Sequence, residues 1–222
     1  MIRFLTILIS VLILTVSTTA HAKAKRNFDK GFYLSLNGGF NVMHDYTIQT
    51  LVSGTGVLKV ENDVGYVFSG AAGYDFENYR IEAEVSSRVN NVGTISRLET
   101  GAQQQGSDGE ASAFAIMVNG YYDLENKTKY TPYIGGGFGY SYVEFEQYET
   151  NTNPDILSDS GNAFAYQAMA GVEYELDERI GITAEYRYFA TGEIEVTTTL
   201  GNNSTELPYR NHSFMVGMNM KF

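Results

Sequence analysis

Three observations predict an all-β chain, an eight-stranded antiparallel up-and-down transmembrane β-barrel with short periplasmic turns and four long extracellular loops. Apolar and polar residues alternate two by two through eight separate stretches, which is strand rather than helix periodicity. The connections alternate strictly long, short, long, short, long, short, long, as in a barrel with tight turns at one end and surface loops at the other. Aromatic residues bunch toward strand ends as two girdles: Tyr74, Phe76, Tyr79, Tyr122, Tyr174 and Phe222 beside the short turns, Phe40, Tyr66, Tyr140, Tyr142, Tyr186 and Tyr188 beside the long ones.

Residues 1–22 read as an export leader, with Arg3, an apolar run from Phe4 to Val16 and the cleavage pattern Ala20-His21-Ala22. That run falls short of the roughly 20 apolar residues of a spanning helix, which argues against a permanent anchor. A periplasmic linker at 23–30 and a barrel at 31–222 follow. Removing Arg3 with the leader takes the formal charge from -11 to -12, a surface that repels nucleic acid. The absence of cysteine excludes disulfides, thiolate catalysis and Cys-based zinc sites. Tyr 17, Phe 13 and Gly 23 against Pro 3 is a sheet composition.

The first strand, Gly31 to Phe40, sets Phe32, Leu34, Leu36, Gly38 and Phe40 against Tyr33, Ser35, Asn37 and Gly39. A polar stretch from Met43 to Asp63 precedes a second, with Tyr66, Phe68, Gly70, Ala72 and Tyr74 outward and Val67, Ser69, Ala71, Gly73 and Asp75 inward. After Glu77-Asn78 the third has the sharpest alternation: Tyr79, Ile81, Ala83 and Val85 oppose Arg80, Glu82, Glu84 and Ser86. Four consecutive polar side chains on one face suit a barrel lumen better than a packed core.

The stretch from Val89 to Glu110 leads to the fourth strand, where Phe114, Ile116, Val118, Gly120 and Tyr122 oppose Ala113, Ala115, Met117, Asn119 and Tyr121. The fifth, Tyr130 to Phe145, carries a GGGFG run at Gly135 to Gly139 that lacks the Lys-Ser/Thr pair and helix of a phosphate loop; glycines easing curvature inside a small barrel account for it. A stretch from Glu146 to Gly161 delivers the sixth, with Gln167, Met169, Gly171, Glu173 and Glu175 inward. Asp177-Glu178-Arg179 turns into the seventh, with Thr183, Glu185, Arg187 and Phe189 inward. Thr191 to Pro208 then leads to the eighth, which places Phe214, Val216, Met218, Met220 and Phe222 on one face and ends its mixed face on Lys221. A lipocalin-like cup or soluble sandwich would share the periodicity, but its outer face would not need to pair charges or close on an aromatic.

In TPYIGGGFGYSY (131–142), AYQAMAGVEYELDERIGITAEYRYF (165–189) and RNHSFMVGMNMKF (210–222), and more loosely in GFYLSLNGGF (31–40), the chain resembles the opacity-type small outer-membrane barrels of Gram-negative bacteria. The resemblance implies insertion by the outer-membrane assembly machinery, with Phe222 as the assembly signal, and a role as adhesin, surface antigen or structural protein. It also implies host-cell surface or serum proteins as partners. The shared residues are strand residues, so the pattern specifies scaffold rather than ligand.

Arg80, Glu82, Glu84, Glu173, Glu175, Glu185, Arg187 and Lys221 are expected in the lumen. Buried charges need partners, and eight strands enclose only side-chain space, so an ion-pair plug is expected over an ion path. An enzyme working at the barrel rim is the rival class. His212-Ser213 is its one tempting pair, but strand neighbours project to opposite faces. Neither a catalytic nor a cofactor-binding nor a metal site is expected; Asp155 and Asp159 fit no calcium-loop spacing. The long loops are the expected working surface, with Asp45, Arg97, Glu149, Asp155, Asp159 and Glu206 as candidate contacts for a partner of basic or polar surface. The expected function is a monomeric adhesin or surface antigen in outer-membrane lipid. A structural barrel without a ligand, or a minor small-solute pore, is the alternative.

Overall fold

The computed structural model describes residues 30–43, 46–50, 56–97, 103–105, 110–124, 128–146, 159–198 and 203–222, and their side chains within 30–43, 63–91, 110–124, 128–144, 160–194 and 209–222. The expected leader and most of the expected linker lie outside them.

The strands are β1 (Gly31–Met43), β2 (Tyr46–Thr50), β3 (Gly56–Asn62), β4 (Val64–Asp75), β5 (Tyr79–Arg97), β6 (Gln103–Gln105), β7 (Glu110–Asp123), β8 (Tyr130–Glu146), β9 (Asp159–Glu175), β10 (Ile180–Thr198) and β11 (Asn203–Lys221). Eight of them form a ring in which each pairs antiparallel with its neighbours, in the order β1, β4, β5, β7, β8, β9, β10, β11. The ring closes between β11 and β1, in register from Tyr33↔Lys221 to Met43↔Asn211. Closure leaves no open edge in the ring, so a wall facing hydrocarbon satisfies its own backbone.

Alternation is inverted relative to a water-soluble core. On β7, Phe114, Ile116, Val118 and Tyr122 are exposed, while Ala115, Met117, Asn119, Tyr121 and Asp123 are buried inside. Small alanines among those inward positions leave room for long polar side chains from neighbouring strands. Apolar outward faces span Phe32 to Phe40 on β1 and Ile180 to Tyr188 on β10, close to the roughly 9–11 residues that cross a bilayer as a tilted strand.

The polar stretches expected as loops contain further strand. β3 takes the place of β4 beside the far half of β5, in register from Leu58↔Arg97 to Asn62↔Val92, and β2 pairs with β3. Between β3 and β4 the ladder continues through Asp63, whose N–H donates to the Asn91 carbonyl at 3.0 Å. On its other side β5 pairs with β6. β10 and β11 run 19 residues each and remain paired from Ile180↔Met220 to Thr198↔Asn203 across a bulge between Ala190 and Glu193. The ladder thus continues where the alternation that marks a strand in sequence is lost.

Two of the expected short turns are found; the third, expected near Glu125-Asn126-Lys127, lies outside the described residues. Glu77 takes a positive φ of 84° and its N–H donates to Asp75 Oδ1 at 2.8 Å. Asp177 Oδ1 accepts from the N–H groups of Arg179 and Ile180, at 2.8 and 2.9 Å. Both are side-chain-capped turns of the kind Asp favours.

Candidate functional site

Inside the barrel the inward residues of all eight ring strands build a charged column. Near the short turns, Lys221 Nζ meets Asp75 Oδ2 at 2.5 Å. The Arg80 guanidinium bridges Asp123, at 2.9 Å, and Glu173, at 3.5 Å, and Asn219 donates to Glu173 at 2.9 Å. Arg80 also lies over the rings of Tyr133 and Tyr121, at 4.9 and 5.0 Å from their centroids. Such contacts gain strength where water is excluded.

One step inward, Glu82 is held by neutral donors: the hydroxyls of Tyr33 and Tyr121, each at 2.9 Å, and Asn119 Nδ2 at 3.0 Å. Next, Arg187 Nη1 donates to both oxygens of Glu84, at 2.7 and 2.8 Å, and its Nε donates to Glu185 at 2.9 Å. Tyr133 donates to the other Glu185 oxygen at 3.0 Å. Gln167 links this layer to Asn119 at 2.7 Å. Above it Arg88 lies 3.9 Å over Phe189 and donates to Ser86 at 2.8 Å. The column ends in Asn41, Asn90, Ser213 and Tyr209, joined by hydrogen bonds.

The lumen tyrosines fit because glycines face them. A Cβ on Gly73 would lie 2.5 Å from Tyr33 Cζ, and one on Gly171 would lie 2.6 Å from Tyr133 Cζ. Of the GGGFG run, Gly135 does the same for Tyr121. These are close-approach glycines, not a phosphate cradle.

Outside, the girdle aromatics pair across strands at the short-turn end: Phe32 with Tyr74 at 5.0 Å, Tyr79 with Tyr122 at 5.1 Å and Tyr130 with Tyr174 at 4.8 Å between centroids. An apolar wall bounded by aromatics around a polar, filled interior is the arrangement of a membrane-spanning barrel.

Sequence comparison agrees: the family model for the outer membrane protein beta-barrel domain matches residues 8–222. The chain belongs to that family. Outer membrane protein PagN of Salmonella typhimurium is 28% identical over 252 aligned positions, covering 99% of this chain and 99% of its own. Opacity protein opA57 of Neisseria gonorrhoeae is 23% identical, covering 72% of this chain and 76% of its own. Among solved structures, outer membrane protein OprG from Pseudomonas aeruginosa superposes with a TM-score of 0.58 at 18% identity, over 89% of this chain and 98% of its own. The expected kinship with small outer-membrane barrels is therefore found, and the protein is placed in the outer membrane.

Within this outer-membrane barrel, Arg80, Glu82, Glu84, Glu173, Glu185, Arg187 and Lys221 come together in the column, while Glu175 lies half-buried at the short-turn rim. Asp75, Arg88 and Asp123 join them. Each continues a period-two row already visible in sequence: Arg88 after Ser86, Asp123 after Tyr121 and Asp75 after Gly73. The same rows had already set Tyr33 and Tyr121 on the inward face, where both are buried; what the letters did not show is that their hydroxyls bond Glu82. Phe222 is exposed and its N–H donates to the Phe32 carbonyl at 3.0 Å.

Of the candidate loop contacts, Asp45, Glu149 and Asp155 lie outside the described residues. Arg97, Asp159 and Glu206 prove to be strand residues, at the end of β5, the start of β9 and within the prolonged β11. The reason is the continuing ladder beyond the apolar band. The His212-Ser213 pair is split as expected: Ser213 is buried and donates to Asn41 at 3.2 Å, whereas His212 on the outer wall shares a 2.6 Å hydrogen bond with the Tyr186 hydroxyl.

Proposed function

We propose that the barrel is a scaffold and that the strand extensions with their connecting segments form the recognition surface of an adhesin or surface antigen binding host proteins. The observation that supports this is the length of β10 and β11, 19 residues each, about twice what a bilayer crossing needs. Paired strand of that length holds its far end at a fixed height above the wall. On this reading the long extensions are extracellular, residues 1–22 are removed on export, and assembly machinery inserts the chain through Phe222. The acidic balance, -12 once Arg3 leaves with residues 1–22, favours a partner with basic or polar surface.

The alternative is a structural barrel with no dedicated ligand. A minor pore is disfavoured by the column of buried, mutually bonded side chains in the lumen. The deciding experiment compares host-cell adhesion of bacteria displaying the full chain with bacteria displaying a barrel whose long connections are cut to tight turns, both showing heat-modifiable migration. Adhesion by the full chain alone supports recognition by the extensions. Equal adhesion, or none from either, removes the adhesin reading and leaves the structural barrel.

A further inference from the structure

At the long-extension end of the outer wall, a polar cluster borders the apolar face of β10 and β11. Outward positions on β11 run Arg210, His212, Phe214 and Val216, with Arg210 exposed one step beyond the aromatic band. His212 is flanked on β10 by Tyr186, stacked at 24° and 5.9 Å, and by Tyr188 at 5.2 Å. The hydrogen bond between the Tyr186 hydroxyl and His212 Nδ1 fixes the imidazole against the wall, and Phe214 supports Tyr186 from the apolar side at 5.3 Å.

The neighbouring charges favour this sector over the others. Arg210 is in register with Ala190, which is fully buried, while Arg210 itself is exposed. Glu193, exposed beyond the bulge, is in register with Pro208, one outward position further from the band than Arg210. On the far side of the wall the corresponding positions are acidic: Glu144 on β8 and Glu110 on β7. Among these described side chains, the β10–β11 sector therefore offers an anion one outward cation, Arg210, with Glu193 beside it, whereas the β7–β8 sector offers only Glu144 and Glu110.

A cation on a lipid-facing wall costs least at the edge of the hydrocarbon, where headgroups begin. Guanidinium offers planar, charge-assisted donors that match phosphate, and Tyr and His supply amphipathic polar groups at the same depth. We propose that Arg210, His212, Tyr186 and Tyr188 form a binding site for the phosphorylated headgroup of a membrane lipid, independent of any partner held by the extensions.

The test uses the full chain in phosphatidylcholine nanodiscs, titrated with lipid A carrying its phosphates and read by native mass spectrometry. Lipid A stripped of phosphate, inorganic phosphate and phosphatidylglycerol serve as the other ligands. Arg210→Gln is expected to weaken binding of phosphorylated lipid A about fivefold, the effect of one cation beside an anionic lipid surface. Glu193→Gln should strengthen it, and both variants should keep heat-modifiable migration. Weaker binding of the stripped lipid supports the phosphate as the recognised group. Phosphatidylglycerol binding that responds to the same variants also supports it and broadens the lipid class. Wild-type affinity in Arg210→Gln, equal retention of the stripped lipid, or full competition by inorganic phosphate would overturn the proposal.

Discussion

Arg187 on β10 reaches the β5 side of the lumen and donates to both oxygens of Glu84, at 2.7 and 2.8 Å, while its Nε donates to Glu185. All three side chains are nearly inaccessible to solvent. Removing one partner of such a set leaves buried charge uncompensated, at a cost of about 3–5 kcal/mol. Arg187→Ala is therefore expected to lower unfolding stability by that amount in denaturant titrations of the refolded barrel. Single-channel conductance should change little. A large conductance with unaltered stability would identify the column as a gate rather than a plug.

Glu82 makes a contrasting prediction, because its three described donors are uncharged. Tyr33→Phe and Tyr121→Phe each remove a hydrogen bond to a charged acceptor and are expected to cost about 1.5–3 kcal/mol. The two hydroxyls share one carboxylate, so the double variant should depart from additivity. Additive losses in the same unfolding assay would show that the hydroxyls act separately.

Gly171→Ala should destabilise by about 1–3 kcal/mol, the cost of overpacking a filled interior. Its Cβ would meet the Tyr133 ring and stand 2.7 Å from the Ala184 carbonyl oxygen. Gly120→Ala is the matched control, since a Cβ there has nothing within 4 Å. Equal stability of the two variants in thermal melts would contradict the close-approach role of Gly171.

Phe222→Ala tests the proposed assembly signal. The ring is 75% exposed, so its loss should barely move the stability of protein refolded in detergent. The amount reaching the outer membrane in cells should fall severalfold. Normal surface levels would deny Phe222 that role.

The barrel was legible because its wall separates two media: on β5, Tyr79, Ile81, Ala83 and Val85 face outward while Arg80, Glu82 and Glu84 are buried, so the period of two is visible in the letters alone. The charged column followed from the same rows, and Arg88 would have followed had the row been carried past Ser86. Partner choice was not legible. Nothing in spacing says that Arg187 bonds to Glu84, 103 positions away, since that depends on ring order and stagger. The extensions failed for the opposite reason: residues 56–62 and 203–208 are paired strand, yet their letters carry no sustained apolar and polar alternation and look like polar linker.

The length of the β10–β11 hairpin also sets a clearance. Nineteen residues rise roughly 60 Å along the strand, and at a tilt near 40° they span roughly 45 Å of height against an apolar band roughly 25 Å tall. Roughly 20 Å of stiff ribbon therefore projects past the lipid chains, comparable to the diameter of a small folded domain. On the proposed orientation, a soluble protein could engage the far end without descending into the carbohydrate layer around the base.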